Sequence, residues 1–188
     1  MLRITGGKFR GRNLKTLKGK GTRPMLSRVR KSLFDIIGNR VEGADFLDLF
    51  AGTGSVGIEA LSRNAHRAVF VENNQRAIQV IFQNLSMLGL QNSSEVYKIN
   101  VLAWLDSVSE KNDASLKFDI IFVGPPYFKE LANRTLQGIS EAGVLKESGV
   151  IFVQHHKKEK ITVPDPFTLI EQRRYGDIVL SIIKEKNK

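Results

Sequence analysis

The chain has 188 residues, which suggests one domain with a substantial core, since chains of this size bury roughly 70% of the surface exposed when unfolded. It has no cysteine, which excludes disulfides, thiolate nucleophiles and cysteine zinc sites, and no apolar stretch approaches the ~18 residues of a membrane helix. The formal net charge of +10 is uneven: residues 1–40 hold 12 Lys/Arg against one acid, Asp35, whereas residues 41–188 hold 17 Lys/Arg and 18 acids. That asymmetry favours a polyanionic partner, because each neutralised phosphate releases a counterion. A solubilising tail is the alternative reading.

Residues 1–24, "MLRITGGKFRGRNLKTLKGKGTRP", hold five glycines and alternate apolar with basic residues in places. Ile4, Phe9 and Leu14 are expected to anchor a short hairpin arm whose basic side chains face solvent. The stretch has no apolar core or cleavage site, so no signal peptide is expected, and a cytoplasmic location follows as the expectation. From residue 25 to 188 the pattern is that of one domain. Ser27 caps a helix over "RVRKSLFDII", and Gly38 stops it.

Strands then alternate with helices. Strands are predicted at 45–50, 67–73, 95–100, 118–123 and 149–155, with helices at 55–64, 75–90, "VLAWLDSV" and "ELANRTLQGI" between them. The tail 167–183 reads as two strands around a turn at Tyr175, Gly176 and Asp177. Apolar runs separated by helices predict an α/β, Rossmann-like sheet covered on both faces. The closing antiparallel pair makes it a mixed sheet of seven strands.

"DLFAGTGSVGIEA" (48–60) follows the first of these strands and opens a helix. Gly52 and Gly54 let the backbone turn tightly and let a ligand approach, and the helix start directs amides at it. The spacing Gly52, Gly54, Gly57 fits a dinucleotide fingerprint, with Glu72 placed as a ribose-binding acid. Asp48, four residues before Gly52, argues against a pyrophosphate and for a cation such as a methionyl ammonium. S-adenosylmethionine therefore fits better than NAD. A loop serving only tight helix–strand packing is the bland alternative.

"RITGGKFRGRNL", "TRPMLSRVRKSLFDII", "DLFAGTGSVGIEALSRNA", "VFVENN", "PPY" and "YGDIVLSI" occur in the order found in the RsmD family. The sequence resembles that family, bacterial methyltransferases acting on a guanine N2 of 16S ribosomal RNA, over almost its whole length. The resemblance implies a seven-stranded methyltransferase fold, S-adenosylmethionine as donor, and 16S rRNA or the small ribosomal subunit as partner. No metal or membrane is implied, and a monomer is expected. It places Asp48, Phe50, Gly52, Gly54, Glu72, Asn73, Asn100 and Val101 at the cofactor. Asn100 stands where relatives commonly carry an Asp that contacts the adenine amine. Arg3, Lys8, Arg10, Arg12, Arg23, Arg28 and Arg30 are the expected RNA contacts.

Gly124, Pro125, Pro126 and Tyr127 fall on the family's catalytic motif, but relatives carry Asp or Asn where this chain has Gly124. That side chain accepts a hydrogen bond from the target amine, and glycine cannot. Three explanations are open: main-chain carbonyls with a water, another side chain such as Asp119 or one from the arm, or no substitute, leaving a weak enzyme. On this reading Gly124→Asp raises turnover. Alternatives to the RNA guanine activity are another RNA or DNA amine as target, and an RNA-binding ribosome-assembly factor of little activity.

Overall fold

Apolar runs of five or six residues form the centre of the sheet, and the amphipathic segments between them become its covering helices. The computed structural model describes residues 2–17, 27–111 and 116–186. Two short strands, β1 (Leu2–Arg3) and β2 (Asn13–Leu14), pair antiparallel at the start of the chain. Then come α1 (Ser27–Ile37), β3 (Asp45–Leu49), α2 (Ser55–Ser62), β4 (Arg67–Glu72), α3 (Gln75–Leu88), β5 (Ser94–Lys98) and α4 (Val101–Lys111). They are followed by β6 (Phe118–Val123), α5 (Leu131–Ala142), β7 (Leu145–His156), β8 (Phe167–Tyr175) and β9 (Ile178–Glu185).

The main sheet has seven strands in the order β5-β4-β3-β6-β7-β9-β8. Strands β5, β4, β3, β6 and β7 are parallel, and β9 runs antiparallel between β7 and β8. This is the expected α/β, Rossmann-like mixed sheet. Strand order reverses between β3 and β6, the place where open α/β sheets bind ligands.

Side chains alternate between the two faces. Phe46, Phe70, Phe122 and Phe152 pack with α1, α2, α3 and the apolar residues of the arm. Leu47, Val71, Val123 and Val153 pack on the other face with α4 and α5. Asp48 is two residues from Phe46, so it belongs to the first face. Gly124 and Gln154, each two residues beyond a buried Phe of that face, stand at its carboxyl edge.

The arm is fixed to the domain through buried polar groups. Thr5 donates its N–H and hydroxyl to the Glu59 carboxylate of α2 at 2.7–3.1 Å. Ser62 accepts the Lys8 N–H on its carbonyl and the Phe9 N–H on its hydroxyl, which itself donates to the Gly6 carbonyl. Asn84 of α3 exchanges two hydrogen bonds with the main chain of Lys15. A Cβ at Gly7 would lie 1.7 Å from the Ser62 carbonyl oxygen, and φ there is +75, so only glycine permits this approach.

Candidate active site

The turn after β3 is built from left-handed backbone: φ is 62 at Phe50, 57 at Gly52 and 76 at Gly54. A non-glycine residue in that region costs free energy, and such residues gather at functional sites. The loop's three glycines have different reasons. A Cβ at Gly57 would lie 2.4 Å from the Phe70 ring, and one at Gly54 would press Ile81 and Phe70, so both serve packing. Gly52 has nothing within 4 Å of where its Cβ would be. Its open space is what a ligand needs.

Two carboxylates flank this opening. Asp48 is 1% exposed, and its Oδ2 accepts the Gly57 N–H at 2.9 Å. Its Oδ1 is buried without a hydrogen-bond partner among the described residues. Burial pushes its pKa up to about 8; the Gly57 bond opposes this and the Glu72 charge adds to it. A buried acceptor so placed fits a cationic ammonium, which would restore the ionised form. Glu72, at the end of β4, takes the Gly52 N–H on Oε2 at 2.8 Å and the Asn73 and Asn74 N–H groups on Oε1. A carboxylate has about four acceptor positions, so Oε2 keeps one for a ribose hydroxyl. The orphaned Asp48 oxygen, the spare Glu72 position and the gap at Gly52 together fit S-adenosylmethionine.

The other expected cofactor residues divide. Phe50 is half-buried on the α4–α5 face, and the exposed Asn73 forms the rim. Val101, the first residue of α4, is buried, its side chain committed to packing. The strand predicted at 95–100 ends at Lys98, which makes Asn100 the cap of α4. Its Oδ1 accepts the Leu102 N–H at 2.9 Å and the Ala103 N–H at 3.4 Å. The oxygen expected to receive an adenine amine is thus already engaged. What the amide presents is Nδ2, a donor suited to an adenine ring nitrogen.

Past β6, Pro125 is buried, Pro126 exposed and Tyr127 half-buried. The Gln154 Nε2 donates to the Tyr127 hydroxyl at 3.1 Å. Phe128, with φ 60, is 64% exposed and lies 4.7 Å from the His156 ring, which is 5.9 Å from the Tyr127 ring. Glu159 ties the turn down by accepting the Phe128 and His156 N–H groups at 2.9 and 2.8 Å. The segment 157–160 therefore contains a structural bridge. Asp119 is no substitute for a side chain at position 124: it is the second residue of β6, at the opposite edge, bonded to Lys146.

Sequence reasoning missed Gln154, Phe128, His156 and Glu159. The alternation along β7 put Gln154 and His156 on one face, but nothing in the sequence revealed which strand end lay beside them. His155, one residue away, points to the other face, bonds Ser181 at 2.8 Å and has its pKa lowered chiefly by burial.

Arg3, Lys8, Arg10, Arg12 and Arg28 are exposed. Arg23 lies outside the described residues. Arg30 is a correction: its side chain is fully buried, paired with Glu59 at 3.3 Å and donating to the Arg3 carbonyl, so it holds the arm and cannot face RNA. Burial lowers its pKa and Glu59 counters that.

The family model described as "Conserved hypothetical protein 95" matches residues 2–184. The chain is similar to the ribosomal RNA small subunit methyltransferase D of Haemophilus influenzae, 32% identical over 175 residues, covering 93% of this chain and 89% of that protein. It is likewise similar to the protein of that name in Escherichia coli K12, 30% identical over 186 residues, with 98% and 90% covered. Among solved structures, a hypothetical protein of Thermus thermophilus superposes with a TM-score of 0.81 at 32% identity, covering 98% of this chain and 99% of that one.

Proposed function

The chain belongs to the RsmD family, the one described as conserved hypothetical protein 95, and from that premise we propose that it transfers a methyl group from S-adenosylmethionine to the exocyclic N2 of a guanine in 16S ribosomal RNA. The observation that carries the reading is one sheet edge that joins a cofactor cradle, Asp48 and Glu72 around the gap at Gly52, to an aromatic turn at Tyr127 and Phe128. The relatives named as small-subunit ribosomal RNA methyltransferases support the substrate class.

The bound cofactor supplies a methyl group already activated by a cationic sulfur, so the protein's task is position and electrostatics. Asp48 Oδ1 would hold the ammonium, and Glu72 Oε2 a ribose hydroxyl. Tyr127 and Phe128 offer ring faces to a purine, and the proline step fixes the angle of the first ring. A guanine amine is a poor nucleophile because its lone pair is delocalised. The site would gain rate by holding that nitrogen oriented toward the methyl group that the cofactor supplies. The exposed Arg3, Lys8, Arg10, Arg12 and Arg28 meet phosphates, while the Glu59 and Ser62 anchors keep four of these at a fixed place relative to the cofactor.

The test is to incubate unmodified small subunits with labelled donor and map the product nucleoside by mass spectrometry. N2-methylguanosine in 16S RNA is the expected product. Label on another atom sinks the guanine-N2 assignment, and no label at all leaves an RNA-binding factor.

A further inference from the structure

We propose that the side-chain oxygen of Gln154 is the acceptor that orients the target's exocyclic amine, the role a side chain at position 124 does not fill. The inference rests on the guanine-N2 reading and adds a residue that the glycine–proline–proline–tyrosine motif does not contain.

Gln154 is only 9% exposed, and its Oε1 is buried without a hydrogen-bond partner among the described residues. Leaving a buried carbonyl unpaired is costly, so an orphan of this kind marks a missing partner. Its place identifies that partner. Strands β6 and β7 pair in parallel with Val123 opposite Val153, so the next residues, Gly124 and Gln154, stand side by side about 4.8 Å apart. Gln154 is two residues beyond Phe152 and shares the Asp48 face. Its Nε2 donates to the Tyr127 hydroxyl, which pins the amide beside the ring proposed to stack on the base and leaves the oxygen as the free end.

The space at position 124 is not free for a substitute to grow into. A Cβ on Gly124 would meet the Phe122 ring at 2.8 Å. Glycine here lets Phe122 fill that space, and the acceptor comes from the neighbouring strand.

An amide oxygen accepts and cannot donate, so it favours a base presenting N–H groups and opposes one presenting a carbonyl. As the amine nitrogen forms its bond to the methyl carbon and the carbon–sulfur bond breaks, positive charge develops on nitrogen. The remaining N–H then donates more strongly to Gln154 Oε1. The interaction tightens most in the transition state, where it accelerates the reaction. Gln154 takes no proton; the one lost from nitrogen goes to water.

Three variants and the wild type are assayed on unmodified small subunits, with the product nucleoside mapped. Gln154→Met keeps side-chain length and removes the acceptor. It should lower kcat by about 10- to 100-fold, with little change in KM, cofactor affinity by calorimetry or melting temperature. Gln154→Glu keeps an acceptor and should recover to within about 5-fold of wild type. Gln154→Asn withdraws the oxygen by one methylene and should lose about 10-fold even if the Met variant does not fold. Wild-type kcat in Gln154→Met or Gln154→Asn overturns the proposal. So does an equal loss in the Met and Glu variants, which would assign Gln154 only to holding Tyr127. A wild-type product other than N2-methylguanosine overturns the guanine reading instead, and that outcome is seen before any variant is compared.

Discussion

The two edges of the sheet use their polar groups in opposite ways. At the amino edge, Asp45 starts β3, Arg67 starts β4, Asp119 is the second residue of β6 and Lys146 the second of β7. Lys146 bonds Asp45 at 2.9 Å and Asp119 at 2.7 Å, while Arg67 bonds Asp45 at 3.1 Å and Glu95 at 3.4 Å. Each of these five charged groups has an opposite neighbour. At the carboxyl edge, Asp48 Oδ1 and Gln154 Oε1 are buried without partners among the described residues, and Phe50 and Phe128 hold left-handed backbone. A satisfied edge is complete as folded. An edge with orphaned acceptors is completed by what binds to it.

Changes at the two edges should therefore separate stability from binding. The largest effect is expected from Glu72→Ala, which removes the acceptor for a ribose hydroxyl and the partner of three loop amides. Cofactor affinity should fall about 10- to 150-fold, as for a lost hydrogen bond to a charged group. Affinity within about 3-fold of wild type, measured by calorimetry, would remove Glu72 from the site.

Next is Gly124→Asp. From sequence it should raise turnover; in the structure its Cβ displaces a buried ring edge. It should cost about 1–3 kcal/mol of stability, as overpacking does, and give no gain in turnover, with stability recovered when Phe122→Leu is added. A stable, faster Gly124→Asp would contradict this packing account. Smaller still is Lys146→Met at the amino edge. Lys146 is more than a third exposed, so the loss should be only about 0.5–1 kcal/mol by denaturant titration, with cofactor affinity unchanged.

The pH dependence of stability should have opposite signs at the two edges. Burial pushes the Asp45 carboxyl up, but its bonds to Lys146 and Arg67 more than reverse this, and its pKa lies below the ordinary value. Its contribution is present above pH ~4 and is lost as pH falls below that. The Asp48 carboxyl is raised to about 8, so its contribution is greatest below pH ~4 and is lost as pH rises toward 8. Melting curves of Asp45→Asn and Asp48→Asn should remove the acid and the neutral limbs respectively. Identical pH profiles for the two would refute the contrast.

Much of this was legible in the sequence because it is local. The alternation of apolar runs and helices located the sheet, and Asp48, the glycines and Glu72 lie within 25 residues. What was not legible depends on residues far apart. Gln154 matters through Gly124, on the next strand, and only the sheet register makes them neighbours. Arg30 looked like its neighbours Arg28 and Lys31, yet the arm covers it and Glu59, 29 residues away, neutralises it. Glu59, Ser62 and Asn84 read as ordinary helix polar residues until their partners 53 to 69 residues away are known. The strand expected to reach Asn100 ends two residues earlier, at Lys98, and Asn100 caps the next helix, a detail that depends on where the backbone turns.

The central claim is that an ammonium-bearing cofactor completes the carboxyl edge at Asp48. Calorimetric titration of S-adenosylmethionine at pH 7, in two buffers of different ionisation enthalpy, tests it directly. Wild type should bind one equivalent and release protons to the buffer as the Asp48 carboxyl ionises beside the ammonium, and Asp48→Asn should bind more weakly and release fewer. Equal affinity and equal proton release in the two proteins would place the cofactor elsewhere.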